Sequence, residues 1–158
     1  MNAPTVRAAV VVTGFEDPEI KAELTGEGVV FVQLPDYDDP ELIESFRIGL
    51  DQLRGRCDRV FLTPVNAPMY TYDTVRRMLA SPGDLVIPSC KGRAGHPVLI
   101  AASMREGIQA YDGPDGLAGF IRSSTADRRW IDVNDEGIRY TVHEMEQLEP
   151  LLPASDES

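Results

Sequence analysis

Val6 to Thr13 reads Val-Arg-Ala-Ala-Val-Val-Val-Thr, a near-continuous apolar run that stops at Gly14. A strand with one face in water alternates polar and apolar residues. This one does not, and it suits a strand buried on both faces of a parallel sheet. Parallel neighbours cannot be joined by a tight turn, so a crossover, usually a helix, must follow. The next residues supply one: Asp17-Pro18 gives an N-cap and a first-turn proline, and Ile20 and Leu24 lie four apart on one face. Gly26 and Gly28 close that helix before a second strand, Val29 to Leu34.

The alternation continues along the chain. Asp39 caps and Pro40 starts a helix in which Leu42, Ile43, Phe46, Leu50 and Leu53 form one apolar stripe. Arg59 to Thr63 is a third strand, and Thr71 caps a helix with Val75, Met78 and Leu79 on its buried side. Asp84 to Pro88 and Pro97 to Ile100 read as short strands; Ser103 opens a short helix through Ile108, and Asp115 another through Leu117, Phe120 and Ile121. Arg129 to Val133 and Ile138 to Val142 read as a closing pair of strands about an Asn134-Asp135-Glu136-Gly137 turn, followed by a helix from Glu144 to Leu152. Arg128-Arg129-Trp130 reads as a strand start with one buried aromatic. This order predicts a layered α/β domain with a mostly parallel sheet. A chain of 158 residues is long enough to bury one such core. Residues 1–152 are read as a single domain, with a disordered tail at 153–158.

The net charge of −11 excludes a nucleic-acid partner, because affinity for a phosphate backbone comes from lysine and arginine. Acid concentrates in Asp36-Tyr37-Asp38-Asp39-Pro40-Glu41 and in Asp156-Glu157-Ser158, which read as solvated segments. No run of about 18 apolar residues occurs, so no membrane span is expected. The first residues lack the pattern of a signal peptide. Cys57 and Cys90 have no Cys-x-x-Cys or histidine pairing, which rules out a structural zinc site and suits two reduced thiols in a cytoplasm.

Ligands of open α/β sheets gather beyond the C-terminal ends of the strands. Those ends are Thr13-Gly14-Phe15, Leu34-Pro35-Asp36 and Thr63-Pro64-Val65-Asn66, faced by Gly92-Arg93-Ala94-Gly95-His96-Pro97 if that segment folds across them. Thr13, Asp36, Asn66 and His96 are therefore expected to line one cleft. Arg93, the sole cation of the glycine-rich segment, suits an anion through its planar fork. Each residue also has a plainer reading. Asp36 and Asn66 can cap backbone groups, Gly-His-Pro can be a simple turn, and Arg93 can be an exposed arginine without a partner. His143 has no carboxylate or thiolate at metal spacing and is read as structural.

These motifs resemble those of the MobA-like NTP transferases, which include the molybdenum-cofactor cytidylyl- and guanylyltransferases. In that family a Val-Val-Val-Thr-Gly strand precedes a helix, as Val10 to Gly14 does. An Asn-Pro-Asp-Tyr segment precedes a helix with a serine near its start, resembled by Leu34-Pro35-Asp36-Tyr37 and Ser45. A strand ending in Gly-Asp-x-Pro resembles Val65-Asn66-Ala67-Pro68, and the helix-capping threonine after it resembles Thr71. Gly-x-x-Gly-His-Pro is matched in full by Gly92 to Pro97. The similarity runs from about Val6 to about Leu148. It implies a three-layer Rossmann-like nucleotidyltransferase fold and a nucleotide or pterin-type ligand. It also implies ligand contacts at Thr13, Gly14, Asp36, Ser45, Asn66, Arg93, Gly95 and His96.

The departures from the pattern lie on the phosphate side. Family members begin with a strand and a Leu-Ala-Ala-Gly-x-Ser-x-Arg-Met-Gly loop whose backbone N–H groups hold nucleotide phosphates. This sequence starts at what resembles the second strand, so a fold truncated at its N-terminus is expected. Lys21 and Lys91 are its only lysines, and neither follows a glycine-rich strand-to-helix turn. The family's magnesium-binding aspartate is matched by Asn66, whose amide oxygen lacks the charge a hard dication favours, so magnesium binding is expected to be weakened. The family's late Asp-x-Asp-Thr-Pro motif falls at Thr141-Val142-His143-Glu144-Met145, with both carboxylates replaced. The expected function is a degenerate or incomplete nucleotidyltransferase-like protein, inactive alone, with a residual ligand pocket and no catalytic or metal-ligating residue assigned. The alternatives are a non-catalytic interaction subunit, as a homo-oligomer or with a protein partner on an exposed sheet edge, and the C-terminal half of a split nucleotidyltransferase.

Overall fold

A computed structural model describes residues 8–13, 29–33 and 42–141. β1 (Ala9–Thr13) and β2 (Val29–Gln33) pair in parallel, from Ala9 opposite Val29 to Thr13 opposite Gln33. This is the arrangement the apolar run predicts. The helix expected between them, the Asp39-Pro40 start and the helix expected from Glu144 to Leu152 lie outside the described residues.

α1 (Leu42–Gln52) carries the predicted stripe: Ile43 and Leu50 are buried, and Phe46 and Leu53 pack beside them. Gly49 lets its backbone approach β1, since a Cβ there would stand 3.3 Å from the Val12 side chain. β3 (Arg59–Leu62), α2 (Tyr72–Ala80), β4 (Leu85–Cys90), β5 (Arg93–Ala94), β6 (Val98–Ala101), α3 (Arg105–Ala110), α4 (Gly116–Ser123) and β7 (Arg128–Asp132) follow.

The larger sheet runs β3–β6–β4–β5, with β7 also pairing to β4. β3, β4 and β7 share one direction, while β5 and β6 oppose them. The reversal begins at Lys91-Gly92, where both residues have positive φ, 52° and 76°. That is the signature of a two-residue hairpin turn whose twist matches the strands, and Gly92 adopts it without steric cost.

Side-chain alternation then builds the layers. Val60, Leu62, Leu85, Ile87, Val98 and Ile100 cluster with Ile43 and Leu50 of α1, Ile108 of α3 and Phe120 of α4. On the other face Val86 and Leu99 pack on Met78 of α2. The result is a three-layer α/β fold, with α1, α3 and α4 on one face of the larger sheet and α2 on the other. α1 is tied to α3 by more than apolar contact: Arg47 donates to the Ile108 carbonyl at 3.0 Å, and Gln109 donates to the Arg47 carbonyl at 2.8 Å. Among the described residues, no helix is long and apolar enough to cross a membrane.

Some local expectations are corrected. The expected strand from Ile138 does not form over its described part, 138–141; Glu136–Arg139 is a 3₁₀ turn, and β7 runs parallel along β4. Asp135 causes this by accepting from the Gly137 N–H at 3.0 Å, which curls the chain, while Ile138 buries beside Cys90 and Val133. Trp130 is not buried: it is 54% exposed, because β7 has no described strand on its outer side. Asp115 does open α4, as expected, standing in the left-handed region at its N-terminus, with its carboxylate paired to Arg122 rather than bonded to the helix backbone.

Candidate functional site

The C-terminal ends of β3, β4 and β7 open on one edge of the larger sheet, where register brings distant loops together. Leu62, the last residue of β3, lies opposite Val98, the first of β6. The Thr63–Pro68 loop therefore leaves the sheet beside the place where Gly95-His96-Pro97 enters it. The Ala67 N–H donates to the Pro64 carbonyl at 3.1 Å, closing a β-turn that holds half-buried Asn66 at its corner. Ala67 is buried beneath it, and Val65 is exposed.

The 135–140 segment completes the edge. The His96 N–H donates to the Ile138 carbonyl at 2.7 Å, and the Gly95 N–H to the Pro88 carbonyl at 3.0 Å. A Cβ on Gly95 would run into the Ile138 carbonyl, so only glycine permits this approach. Gly137 is equally constrained by the Met69 carbonyl. Asp135 fastens the segment to the start of α2. Its Oδ2 accepts from the Thr71 N–H at 2.8 Å and the Thr74 hydroxyl at 2.7 Å, and its Oδ1 accepts from the Gly137 N–H. Thr71 in turn caps α2 by accepting from the Thr74 N–H at 3.3 Å.

These contacts set the protonation states. Burial alone would push Asp135 up, but the hydrogen bonds from Thr71, Thr74 and Gly137 outweigh it and hold the carboxyl below its ordinary value. Burial pushes His96 below the usual imidazole range, so its ring is neutral at pH 7. Its Nδ1 is buried and has no hydrogen-bond partner among the described residues.

The structure thus brings Asn66, Gly95 and His96 to one edge. Arg93 projects, exposed, from β5 opposite Cys90. Ser45 is half-buried on α1, and Thr13 ends β1 in the other sheet. No described contact joins either of these to Asn66 or His96. Gly14 and Asp36 lie outside the described residues.

Sequence reasoning missed Asp135, reading it only as a turn residue. The Asp-x-Gly spacing signals an Asx turn, but nothing local links it to Thr71, 64 positions away. Also missed was an open cleft of about 400 Å³ beside the ends of β4 and β7, lined by Arg77, Cys90, Lys91, Asp132 and Asn134. Its cations are engaged, Lys91 with Glu136 and Arg77 with Asp73.

Among the described residues, the donor set beside Asn66 does not fit magnesium, which needs several oxygen ligands with anionic character. Asn66 offers an amide, and both carboxylate oxygens of Asp135 already accept protein hydrogen bonds. Among the described residues, no group of three or more His, Cys, Asp or Glu is placed to hold a metal ion.

A family model for the MobA-like NTP transferase domain matches residues 2–129. Among solved structures, the crystal structure of Rv0371c from Mycobacterium tuberculosis H37Rv superposes with a TM-score of 0.72 at 20% identity, over 92% of this chain and 75% of that one. A nucleotidyl transferase from Methanothermobacter gives 0.64 at 20% identity, over 81% and 63%. The bifunctional IspDF of Campylobacter jejuni gives 0.66 at 13% identity, over 85% and 39%. At these identities the likeness speaks for the fold. No curated protein matches the sequence.

Proposed function

The chain belongs to the MobA-like NTP transferase domain family, and on that footing we propose that it binds a nucleotide or pterin-type ligand without transferring a nucleotidyl group by itself. The ligand lies at the edge holding Asn66, Gly95 and His96, with Arg93 on its approach and Thr13, Gly14, Asp36 and Ser45 contributing from the β1–β2 side. One observation carries the reading: Asp135, the carboxylate that joins the loops beside Gly95 and His96, is spent on fastening them. Nucleotidyl transfer depends on electrostatic stabilisation of phosphate charge, and an amide beside a carboxylate already engaged by three N–H and O–H donors is a poor magnesium clamp. Neutral His96, whose Nδ1 has no partner among the described residues, supports a hydrogen-bonding role toward a polar heterocycle. Two unpaired thiols, Cys57 and Cys90, suit a cytoplasmic setting.

Isothermal titration with CTP and GTP, with and without magnesium, tests the reading. The expected result is weak binding, on the order of −4 kcal/mol, which is a millimolar dissociation constant. It is expected to be insensitive to magnesium and to release no pyrophosphate. Silence at millimolar nucleotide removes the nucleotide from the proposal. Pyrophosphate release by this chain alone removes the non-catalytic assignment.

A further inference from the structure

β7 pairs with β4 along one side only; on the other side no described strand pairs with it, and its one described backbone contact there is the Asp132 carbonyl accepting from the Arg77 guanidinium at 3.5 Å. The Leu85 N–H donates to the Asp127 carbonyl, and the Val133 N–H donates to the Ser89 carbonyl. By the two-residue alternation of a parallel ladder, Arg129 and Ile131 also turn their backbone groups toward β4. Arg128, Trp130 and Asp132 therefore turn theirs outward. The side chains of the same residues share one face, and Trp130 is 54% exposed on it. An open edge with an exposed aromatic invites another strand, and natural edges are ordinarily blunted against that.

The sequence Arg128-Arg129-Trp130-Ile131-Asp132 selects the strand that fits. Run antiparallel to itself about Trp130, it sets Arg128 opposite the partner subunit's Asp132, Trp130 opposite the partner's Trp130, and Arg129 opposite the partner's Ile131. In that register the outward N–H and C=O groups of Arg128, Trp130 and Asp132 meet their counterparts as hydrogen-bonded pairs. Opposite charges directly across a ladder attract, whereas the parallel alternative stacks like on like. Arg128 is held in place by its bond to the Ile121 carbonyl at the end of α4. The Asp132 carboxylate has no described partner within its own chain. We propose that β7 joins two copies of this chain edge to edge about a two-fold axis through Trp130, merging their larger sheets. The interface is isologous, as closed homodimers require, and it lies away from Asn66 and His96.

The chain contains a single tryptophan, so its own fluorescence reports on the interface. Sedimentation velocity on the full chain is expected to show a concentration-dependent dimer, with Trp130 emission shifting to the red on dilution. Hydrogen exchange should show the Trp130 and Asp132 amides protected at high concentration and open at low. Asp132→Arg is expected to give a monomer, and Arg128→Asp combined with Asp132→Arg to recover the dimer. Should the double variant fold poorly, the wild-type exchange experiment still decides. A monomer at every concentration with those amides unprotected overturns the proposal. So does a dimer indifferent to Asp132→Arg whose Trp130 emission stays that of an exposed indole.

Discussion

Removing the Asp135 carboxylate should loosen the candidate site without opening the core. The side chain accepts from the Thr71 N–H at 2.8 Å, the Thr74 hydroxyl at 2.7 Å and the Gly137 N–H at 3.0 Å. Hydrogen bonds to a charged group contribute about 1.5–3 kcal/mol each when well buried. Asp135 is only half-buried, so water replaces part of what is lost, and roughly 1 kcal/mol per bond is the appropriate scale. Asp135→Ala is therefore expected to cost about 2–3 kcal/mol, or a fall in melting temperature of roughly 4–12 °C for a chain of this size. Asp135→Asn, which keeps one acceptor oxygen, should fall between. Urea titrations at pH 7 and pH 3 are the assay. The folded Asp135 carboxyl lies below its unfolded value. Its contribution is thus complete above the unfolded value and disappears as pH falls through the folded one. The gap between wild type and Asp135→Ala should accordingly shrink at pH 3. A loss at pH 7 below about 0.5 kcal/mol, or one undiminished at pH 3, would refute the assignment of Asp135 as the fastener.

Other outcomes test neighbouring residues. Gly95→Ala should destabilise by about 2 kcal/mol or more, because its Cβ meets the Ile138 carbonyl rather than a yielding side chain; thermal unfolding checks this. His96 should titrate below the ordinary imidazole value by proton NMR, and its contribution to stability should be lost as pH falls through that lowered value. A His96 titration at or above the ordinary value would contradict its burial. Met78→Ala, at a fully buried position between α2 and the sheet, should cost about 2–5 kcal/mol in denaturant titrations. Asn66→Asp adds a charged oxygen at the corner of the Pro64–Ala67 turn and should raise manganese affinity several-fold in isothermal titration. No change would mean that Asn66 does not face the ligand.

What could be read from sequence was what repeats at short range. The unbroken apolar run at β1, the stripe along α1 and the Thr71 cap each depend on residues a few positions apart, and each is found where expected. What could not be read was pairing over long spans. Ile138 looked like a strand residue because its neighbours are apolar and β-prone. Its fate was decided by Asp135, which bends the chain, and by a pocket between Cys90 and Val133. Trp130 looked like core because large aromatics usually are, yet exposure depends on whether β7 is central or at an edge. Sequence alone did not reveal that strand order. The candidate site followed the same rule: the Gly-His-Pro motif was visible, but the contact between Gly95 and Ile138 that demands the glycine was not.

The reversed strand β6 has an evolutionary consequence. It lies between two strands of opposite direction, with Val98 and Ile100 on one face and Leu99 on the other. Inserting or deleting one residue between Lys91 and Pro97 would rotate every one of those side chains to the wrong layer. Descendants of this sequence can therefore exchange exposed residues such as Arg93 freely, and so alter what the hairpin presents to a ligand. They cannot change the hairpin's length. Variation there should appear as substitution and almost never as insertion.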